Sequence, residues 1–339
     1  MECVVAVDVG GTNMKGGLVA CDGTCLHFER RPTPRAEGPE RVIAAVSAFV
    51  TDLTRPRPGT RPLAVGLVVP GLVTAERAVF SAAFGWRDVP ASSFTDVDLP
   101  VALGHDVRAA GEAELAYGAG GDDVLYLPIG TGIAGAVVLS GSLYGGAAGW
   151  AGQIGHIPVR PGGAACGCGQ RGCLAAYASG GAVAARYGAA GAEEVVRRAS
   201  EGDAVAGRVW DAAVEALALA LATYTRLLDP AAVVIGGGVS HAGDALIVPL
   251  RARLSALLSP HPPFFSQGPS PSSQRSSLPS SDGRSPSPGV AAHGPERRVP
   301  EVRASALGAR AGLLGAGLLG WRMAGSVQER RGDVHMPGA

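Results

Sequence analysis

Three cysteines and one histidine lie close together in a glycine-rich segment of the chain. They are His156, Cys166, Cys168 and Cys173, in the run GHIPVRPGGAACGCGQRGC. Four nitrogen and sulfur ligands are the set that a closed tetrahedral zinc site uses. The glycines between them let the backbone turn tightly enough for three thiolates to meet one ion. The spacing favours structural Zn²⁺ over a disulfide, because three cysteines leave one unpaired and Cys166 and Cys168 are too close to join without strain. Simple packing as small buried side chains is the other alternative.

Two glycine-rich turns each follow an apolar strand. The first is DVGGTNMK, beginning at Asp8, and the second is GTGIAG, beginning at Gly130. Glycines let backbone N–H groups approach an anion, so both turns are candidates for cradling phosphate oxygens. Asp8 could hold a hydrated Mg²⁺ that is bound to those phosphates. Ordinary glycine hairpins are the alternative. The candidate nucleotide-binding residues here are Asp8, Gly10, Gly11, Thr12, Lys15, Gly130, Thr131, Gly132 and Gly135.

A third glycine cluster, Gly236, Gly237 and Gly238, comes directly after the apolar run AAVVI. Ligands of α/β proteins bind at the carboxyl ends of strands, and glycines there would leave room for a flat adenine ring. A plain turn is the alternative. The sequence contains no GxxxxGK[ST] motif, so a Walker A site is excluded.

Asp106 follows the strand-like run LPVALG and precedes a helical run. An aspartate in this position is often only a helix N-cap. If it faces a cleft that holds phosphates, its carboxylate could instead accept the proton of an attacking hydroxyl.

The elements around these motifs alternate between strands and helices, which predicts an α/β protein. Residues 122–146 repeat the strand–turn–strand plan of the N-terminus, so two related halves that face a cleft are expected. We predict an N-terminal lobe over 1–116 and a C-terminal lobe over 117–322 with a zinc loop at 153–175. A Ser/Pro-rich insert at 262–295 is predicted to be disordered, and residues 323–339 a flexible tail.

Composition excludes some classes of protein. The net charge is zero, so neither nucleic acid nor an anionic membrane is an expected partner. The N-terminus lacks a secretory signal pattern, and the late apolar segment is interrupted by Arg310 and glycines, which favours a buried helix over a membrane span. The other three cysteines are scattered along the N-terminal part of the chain, and we interpret them as free thiols: Cys3, Cys21 and Cys25. These features predict a cytoplasmic protein.

The motifs DVGGTNMK, GHDVRAAGEAELAYGAG, IGTGIAGA, GQIGH and CGCGQRGCLAAYAS occur in this order. Together they resemble the ROK family (repressors, open reading frames, kinases), most closely its bacterial glucokinase-like sugar kinases. The resemblance implies the actin-like ATPase fold, two duplicated ribonuclease-H-like domains around a nucleotide and sugar cleft. It also implies ATP as donor, Asp106 as general base toward a sugar hydroxyl, and a homodimer.

The resemblance further implies a sugar site at Gly71, His105, Asp106, Gln153 and His156. Here the chain departs from the usual family pattern. His105 stands where Asn is usual and Gln153 where Glu is usual. Two further positions that usually carry hydrogen-bonding side chains are Ala83 and Ala175.

Three functions follow from this resemblance. The leading hypothesis is an ATP-dependent kinase that phosphorylates the 6-hydroxyl of a hexose. The second is a non-catalytic sugar or nucleotide sensor, suggested by the four altered positions. A repressor is disfavoured, because such family members carry a DNA-binding element before the first turn and the chain shows no basic footprint.

Overall fold

A computed structural model of the protein describes residues 1–118, 120–259 and 298–333. The insert predicted at 262–295 lies outside the described residues. The strands are β1 (Glu2–Val9), β2 (Asn13–Val19), β3 (Cys25–Pro32), β4 (Arg61–Val69), β5 (Leu72–Val73), β6 (Arg77–Ser81), β7 (Trp86–Pro90), β8 (Val101–His105), β9 (Val124–Pro128), β10 (Ala136–Leu139), β11 (Ser142–Tyr144), β12 (Ala232–Gly236) and β13 (Glu301–Ala304). The helices are α1 (Pro39–Thr54), α2 (Asp106–Tyr117), α3 (Ala175–Ala178), α4 (Gly180–Tyr187), α5 (Ala192–Ser200), α6 (Ala204–Leu228), α7 (Asp244–Leu258) and α8 (Ala311–Asp333).

Two five-stranded sheets share one strand order. The first runs β3-β2-β1-β4-β8 and the second runs β11-β10-β9-β12-β13. In each sheet the first three strands form antiparallel hairpins and the last two join in parallel. The internal repeat that the sequence predicted is therefore present as two sheets of the same topology. Because β1, β4, β9 and β12 are central, they are apolar on both faces, as strands covered on both sides must be.

A small antiparallel sheet, β5-β6-β7, is inserted between β4 and β8 of the first sheet. Its inner side chain Trp86 is almost fully buried and packs against Phe84 and Phe94. The indole N–H of Trp86 donates to the carbonyl of Pro39 at the start of α1. This sheet is thereby fixed to the first lobe, close to the end of β4.

The helix predicted for the late apolar segment is preceded by an edge strand, β13. Val302 of β13 is fully buried and pairs in parallel with Val233 of β12. The β-branched valine fits this edge of the sheet. Helical structure starts later, at a short 3-10 turn that leads into α8.

The two helices that end the lobes are exchanged between the sheets. The apolar face of α2, which follows the first sheet, packs through Ala110 on Tyr126 and Val138 of the second sheet. The face of α8, which follows the second sheet, packs through Leu313 on Val4 of the first sheet. Residues 311–322, predicted as part of the C-terminal lobe, thus pack on the first sheet as the first half of α8. Of the predicted tail, residues 323–333 continue α8 to Asp333, while 334–339 lie outside the described residues.

Glycines in α8 make this packing possible. A side-chain carbon on Gly66 of β4 would collide with the backbone of α8 at Ala316, and one on Gly312 would collide with the carboxylate of Asp8. Helix backbone and strand backbone therefore touch directly at Gly66, and the Asp8 side chain lies directly against the helix backbone at Gly312. The repeated glycines of AGLLGAGLLG are explained by this contact.

The second lobe has the larger apolar core, built on α6, whose inward face is rich in alanine and leucine. Across the part of the chain that the structure describes, no helix combines the length and hydropathy that a membrane crossing requires.

Candidate active site

The four predicted metal ligands converge. One nitrogen of His156 and the Sγ atoms of Cys166, Cys168 and Cys173 all lie within 4.8 Å of one another. The sulfur of Cys166 lies 3.7 Å from Nδ1 of His156, and the sulfurs of Cys168 and Cys173 are 3.8 Å apart. That distance is far too long for a disulfide. It matches the edge of about 3.8 Å that a tetrahedron with zinc–sulfur bonds of about 2.3 Å would have. The donor set and its geometry therefore fit Zn²⁺.

The cysteine loop is attached to the second glycine turn at both of its ends. Before the loop, Gly135 donates its N–H to the carbonyl of Gly152 at 2.7 Å. After the loop, Gly180 donates to the carbonyl of Gly130, also at 2.7 Å. A metal that holds the loop would thereby also hold the second turn in place.

Asp8, Lys15 and Asp106 line one small cavity of about 140 Å³. Asp8 is the second-last residue of β1, and its carboxylate accepts a hydrogen bond from the Lys15 ammonium at 3.2 Å. Asp106 is the first residue of α2. Gly237 of the second lobe closes the same cavity. Two carboxylates, one ammonium and a backbone from the opposite lobe therefore meet at the junction of the lobes.

Burial changes the acidity of both carboxyl groups. Desolvation raises the pKa of Asp106 to about 6, against the lowering effect of the Val107 amide and of Lys15 and Arg108. Desolvation also raises the pKa of Asp8, which the Lys15 charge lowers and the Asp106 charge raises further. Asp8 has a cation in contact, whereas Asp106 has none among the residues that the structure describes. Asp106 is therefore the group better suited to take up a proton near neutral pH.

His105, and not Asp106, is the N-cap of α2. Its Nδ1 atom accepts a hydrogen bond from the Arg108 amide at 3.3 Å. Burial lowers the pKa of His105 to about 4, with Arg108 adding to the effect. The imidazole is therefore neutral at pH 7 and carries its proton on Nε2. Its approach to the Asp106 carboxylate, at 3.4 Å, is consequently not an ion pair. The Asp106 carboxylate accepts one bond from the next amide, Val107, at 2.7 Å.

A larger cavity of about 720 Å³ lies between the two glycine turns. Thr12 lines it from the first lobe, and Gly130, Thr131 and Gly238 line it from the second. Its volume is in the range of sites that hold a nucleotide-sized ligand. Residues from all three predicted glycine motifs thus surround a single cavity.

The hydrogen bonds of the turns separate the predicted glycines into two groups. The amides of Gly10, Gly130 and Gly135 already donate to backbone carbonyls. Those of Gly11, Thr12, Thr131 and Gly132 have no acceptor among the described residues. The second group is therefore the one that can bind phosphate oxygens. Gly135 is buried away from the cavity, which corrects its prediction as a phosphate contact.

Gly236 also differs from its prediction. It is a buried residue of β12, and a side chain there would collide with the ring of Tyr126. Its glycine is needed for packing, while Gly237 and Gly238 line the two cavities.

The predicted sugar residues come from both lobes. Gly71 follows β4 with φ of 120°, and His105 ends the neighbouring strand, where it pairs with Val69. Both are therefore at the carboxyl edge of the first sheet. Gln153 precedes the short 3-10 turn that carries His156, and His156 lines a third cavity, of about 560 Å³, together with Thr131 and Gly132.

Several residues that line the large cavity were not predicted. They are Asn13 and Arg30 from the first lobe and Glu193, Arg197 and His241 from the second. Arg30 could have been found from the hairpin register, because it pairs with Lys15. The other charged residues come from helical segments with no motif, so the sequence carried no signal for them.

Comparison with known proteins agrees with this architecture. The ROK family model matches residues 4–276. A glucokinase of Thermotoga maritima is 34% identical over 286 residues, covering 76% of this chain and 88% of its own. An N-acetylmannosamine kinase of Escherichia coli O157:H7 is 32% identical over 241 residues, covering 69% of this chain and 82% of its own. A crystal structure of a ROK family glucokinase from Streptomyces griseus, in complex with glucose and AMPPNP, superposes with a TM-score of 0.74 at 28% identity, covering 94% of this chain and 99% of that chain.

The duplicated sheets with a cleft between them are the actin-like ATPase fold, as predicted. Within that class, the chain belongs to the ROK family.

Proposed function

We propose that this protein is an ATP-dependent sugar kinase that phosphorylates the 6-hydroxyl of a hexose, with Asp106 as general base. One observation carries the proposal. Within the described part of the chain, no cation contacts the Asp106 carboxylate, and Asp106 shares a cavity with the Asp8–Lys15 pair and with Gly237 of the opposite lobe. Similarity to the glucokinases and the N-acetylmannosamine kinase supports the reaction class.

The reaction uses the two carboxylates differently. Asp106 accepts the proton of the sugar hydroxyl as its oxygen attacks the terminal phosphorus of ATP. A new oxygen–phosphorus bond forms, the bond to the bridging oxygen breaks, and ADP leaves. Asp8 would hold a hydrated Mg²⁺, which when bound neutralises phosphate charge. The free amides of Gly11, Thr12, Thr131 and Gly132 donate to phosphate oxygens.

The cysteine cluster has a structural role in this proposal. His156, Cys166, Cys168 and Cys173 would hold Zn²⁺, which ties the loop together when bound. Since the loop is bonded at both ends to the second turn, its order supports the phosphate-binding amides there. Assembly as a homodimer stays a prediction.

The proposal is tested by ADP release from ATP and Mg²⁺ across a panel of hexoses and N-acetylhexosamines, with Asp106→Asn measured in parallel. We expect release that depends on one sugar class and falls by at least about 10²-fold in the variant, the low end for loss of a general base. ATP binding should stay near normal in Asp106→Asn, because the isosteric amide keeps the shape of the cavity.

The sensor is the alternative, favoured by Ala83 and Ala175, which cannot bond a sugar hydroxyl. Stabilisation of the folded protein by a sugar without any ADP release would support it against the kinase.

A further inference from the structure

Three charged side chains form a row across the first three strands. Asp8 of β1 pairs with Lys15 of β2, and Lys15 pairs with Arg30 of β3. Directly paired residues of antiparallel strands point to the same face of the sheet. The carboxylate, the ammonium and the guanidinium therefore follow one another on the face that carries the active site.

The neighbouring arginine shows the opposite orientation. Arg31 pairs with Met14 and lies on the other face, where its guanidinium binds Glu29 at 2.7 Å and Asp52 at 2.9 Å. It also lies over the ring of Phe49 at 4.3 Å. Arg30, by contrast, is exposed, and its guanidinium forms no hydrogen bond or ion pair with any residue that the structure describes.

The positive charges of Lys15 and Arg30, which are paired across two strands, destabilise the sheet unless an anion balances them. Like charges directly opposite each other in a sheet repel, and the one carboxylate of the row, Asp8, contacts Lys15 only. The pair therefore has an excess of positive charge that an anion would neutralise. This excess lies at the boundary of the two cavities, because Lys15 lines the small one and Arg30 lines the large one.

We infer that Arg30, with Lys15, binds the phosphate chain of the donor, and that Arg30 makes the site select nucleoside di- and triphosphates over monophosphates. This inference rests on the proposed function. A donor with its nucleoside in the large cavity and its terminal phosphate beside Asp106 must pass along this row. Arg30 binds the phosphates that precede the transferred one, and Lys15 binds nearer to the reacting centre.

The test is calorimetric binding of AMP, ADP and AMPPNP, with Mg²⁺, to the full chain and to Arg30→Gln. We expect ADP and AMPPNP to bind about tenfold more weakly to the variant, as for loss of a charge-assisted contact, and AMP to change by less than about twofold. The unliganded variant should be at least as thermally stable as the parent, because a like-charge contact is removed.

Arg31→Gln is the matched control on the same strand. It should lower thermal stability and leave the ratio of the AMP and ADP affinities unchanged. The inference is overturned if Arg30→Gln weakens all three nucleotides equally, if it weakens none of them, or if Arg31→Gln changes the ratio in the same way. Absence of binding of all three nucleotides to the parent chain would instead overturn the proposed function and this inference together.

Discussion

The two glycine turns occupy the same place in two sheets of the same topology, but they differ in charge. The first turn is flanked by Asp8 and Lys15, and Arg30 extends the row. The second turn lies within residues 124–139, which contain no charged side chain at all. The two turns therefore share a backbone topology but not their charged side chains.

The difference indicates a division of labour. Both turns contain backbone amides without an acceptor in the described part of the chain, at Gly11 and Thr12 and again at Thr131 and Gly132, so both can position phosphates. Only the first turn can bring a carboxylate and cations to the reacting atoms. The second turn is instead connected to the cysteine loop by two backbone hydrogen bonds.

The largest effect expected from this comparison is on turnover. Asp8→Asn removes the proposed Mg²⁺ contact and the partner of Lys15, so kcat should fall by about 10²- to 10³-fold. Thr131→Val removes one hydroxyl from the second turn and should mainly raise the KM for ATP, by about threefold to tenfold. Steady-state kinetics of both variants measures the contrast. Equal losses of kcat in the two would contradict the division of labour.

A second test concerns the zinc site proposed for the second lobe. Cys173→Ser replaces a fully buried proposed ligand, so bound zinc should fall from about one ion per chain to almost none. The KM for ATP should then rise, since the second turn loses its support. Cys21→Ser, at an exposed position of the first lobe, is the control and should keep the zinc. Retention of zinc by Cys173→Ser would remove this residue from the site.

Acidification should act on the two buried carboxyl groups of the first lobe, Asp106 and Asp8. Because Asp106 must be ionised to act as base and its pKa is about 6, kcat/KM should fall about tenfold per pH unit below pH 6. Protonation of Asp8, whose pKa burial also raises, acts in the same direction. In the Thr131→Val variant, kcat/KM should fall with decreasing pH in the same way. A flat profile down to pH 5 would argue against Asp106 as the base.

The sequence predicted the hairpins, the cysteine cluster and Asp106 because each depends on local patterns. Glycine turns after apolar runs, and four ligands within eighteen residues, need no knowledge of distant contacts. The exchange of α2 and α8 between the sheets was missed, since it depends on packing between segments about 200 residues apart. Arg30 was missed for a related reason, because a lone exposed arginine on a strand is unremarkable until its register with Lys15 is known.

The smallest expected effect is a gain in thermal stability when the buried Asp106 carboxyl group is replaced. Since the folded-state pKa of Asp106 is about 6, above the ordinary value of 3.8, the folded protein must ionise a buried carboxyl at pH 7. Asp106→Asn removes that cost and should raise the Tm at pH 7 by about 1–3 °C.

The gain in Tm should depend on pH in a defined direction. Between about pH 4 and 6 the native state binds more protons at Asp106 than the unfolded chain, so this group destabilises the fold as pH rises. The difference in Tm between the variant and the parent should thus be largest at pH 7 and above and should vanish below about pH 4. Thermal melts of both proteins across this range measure it. Most other carboxyl groups cancel because the two chains share them, whereas the pKa of Asp8 falls when the Asp106 charge is removed, which adds to the difference in the same direction. A constant difference, or a loss of stability at pH 7, would mean that desolvation does not dominate the environment of Asp106, and the assignment of the base would then rest on geometry alone.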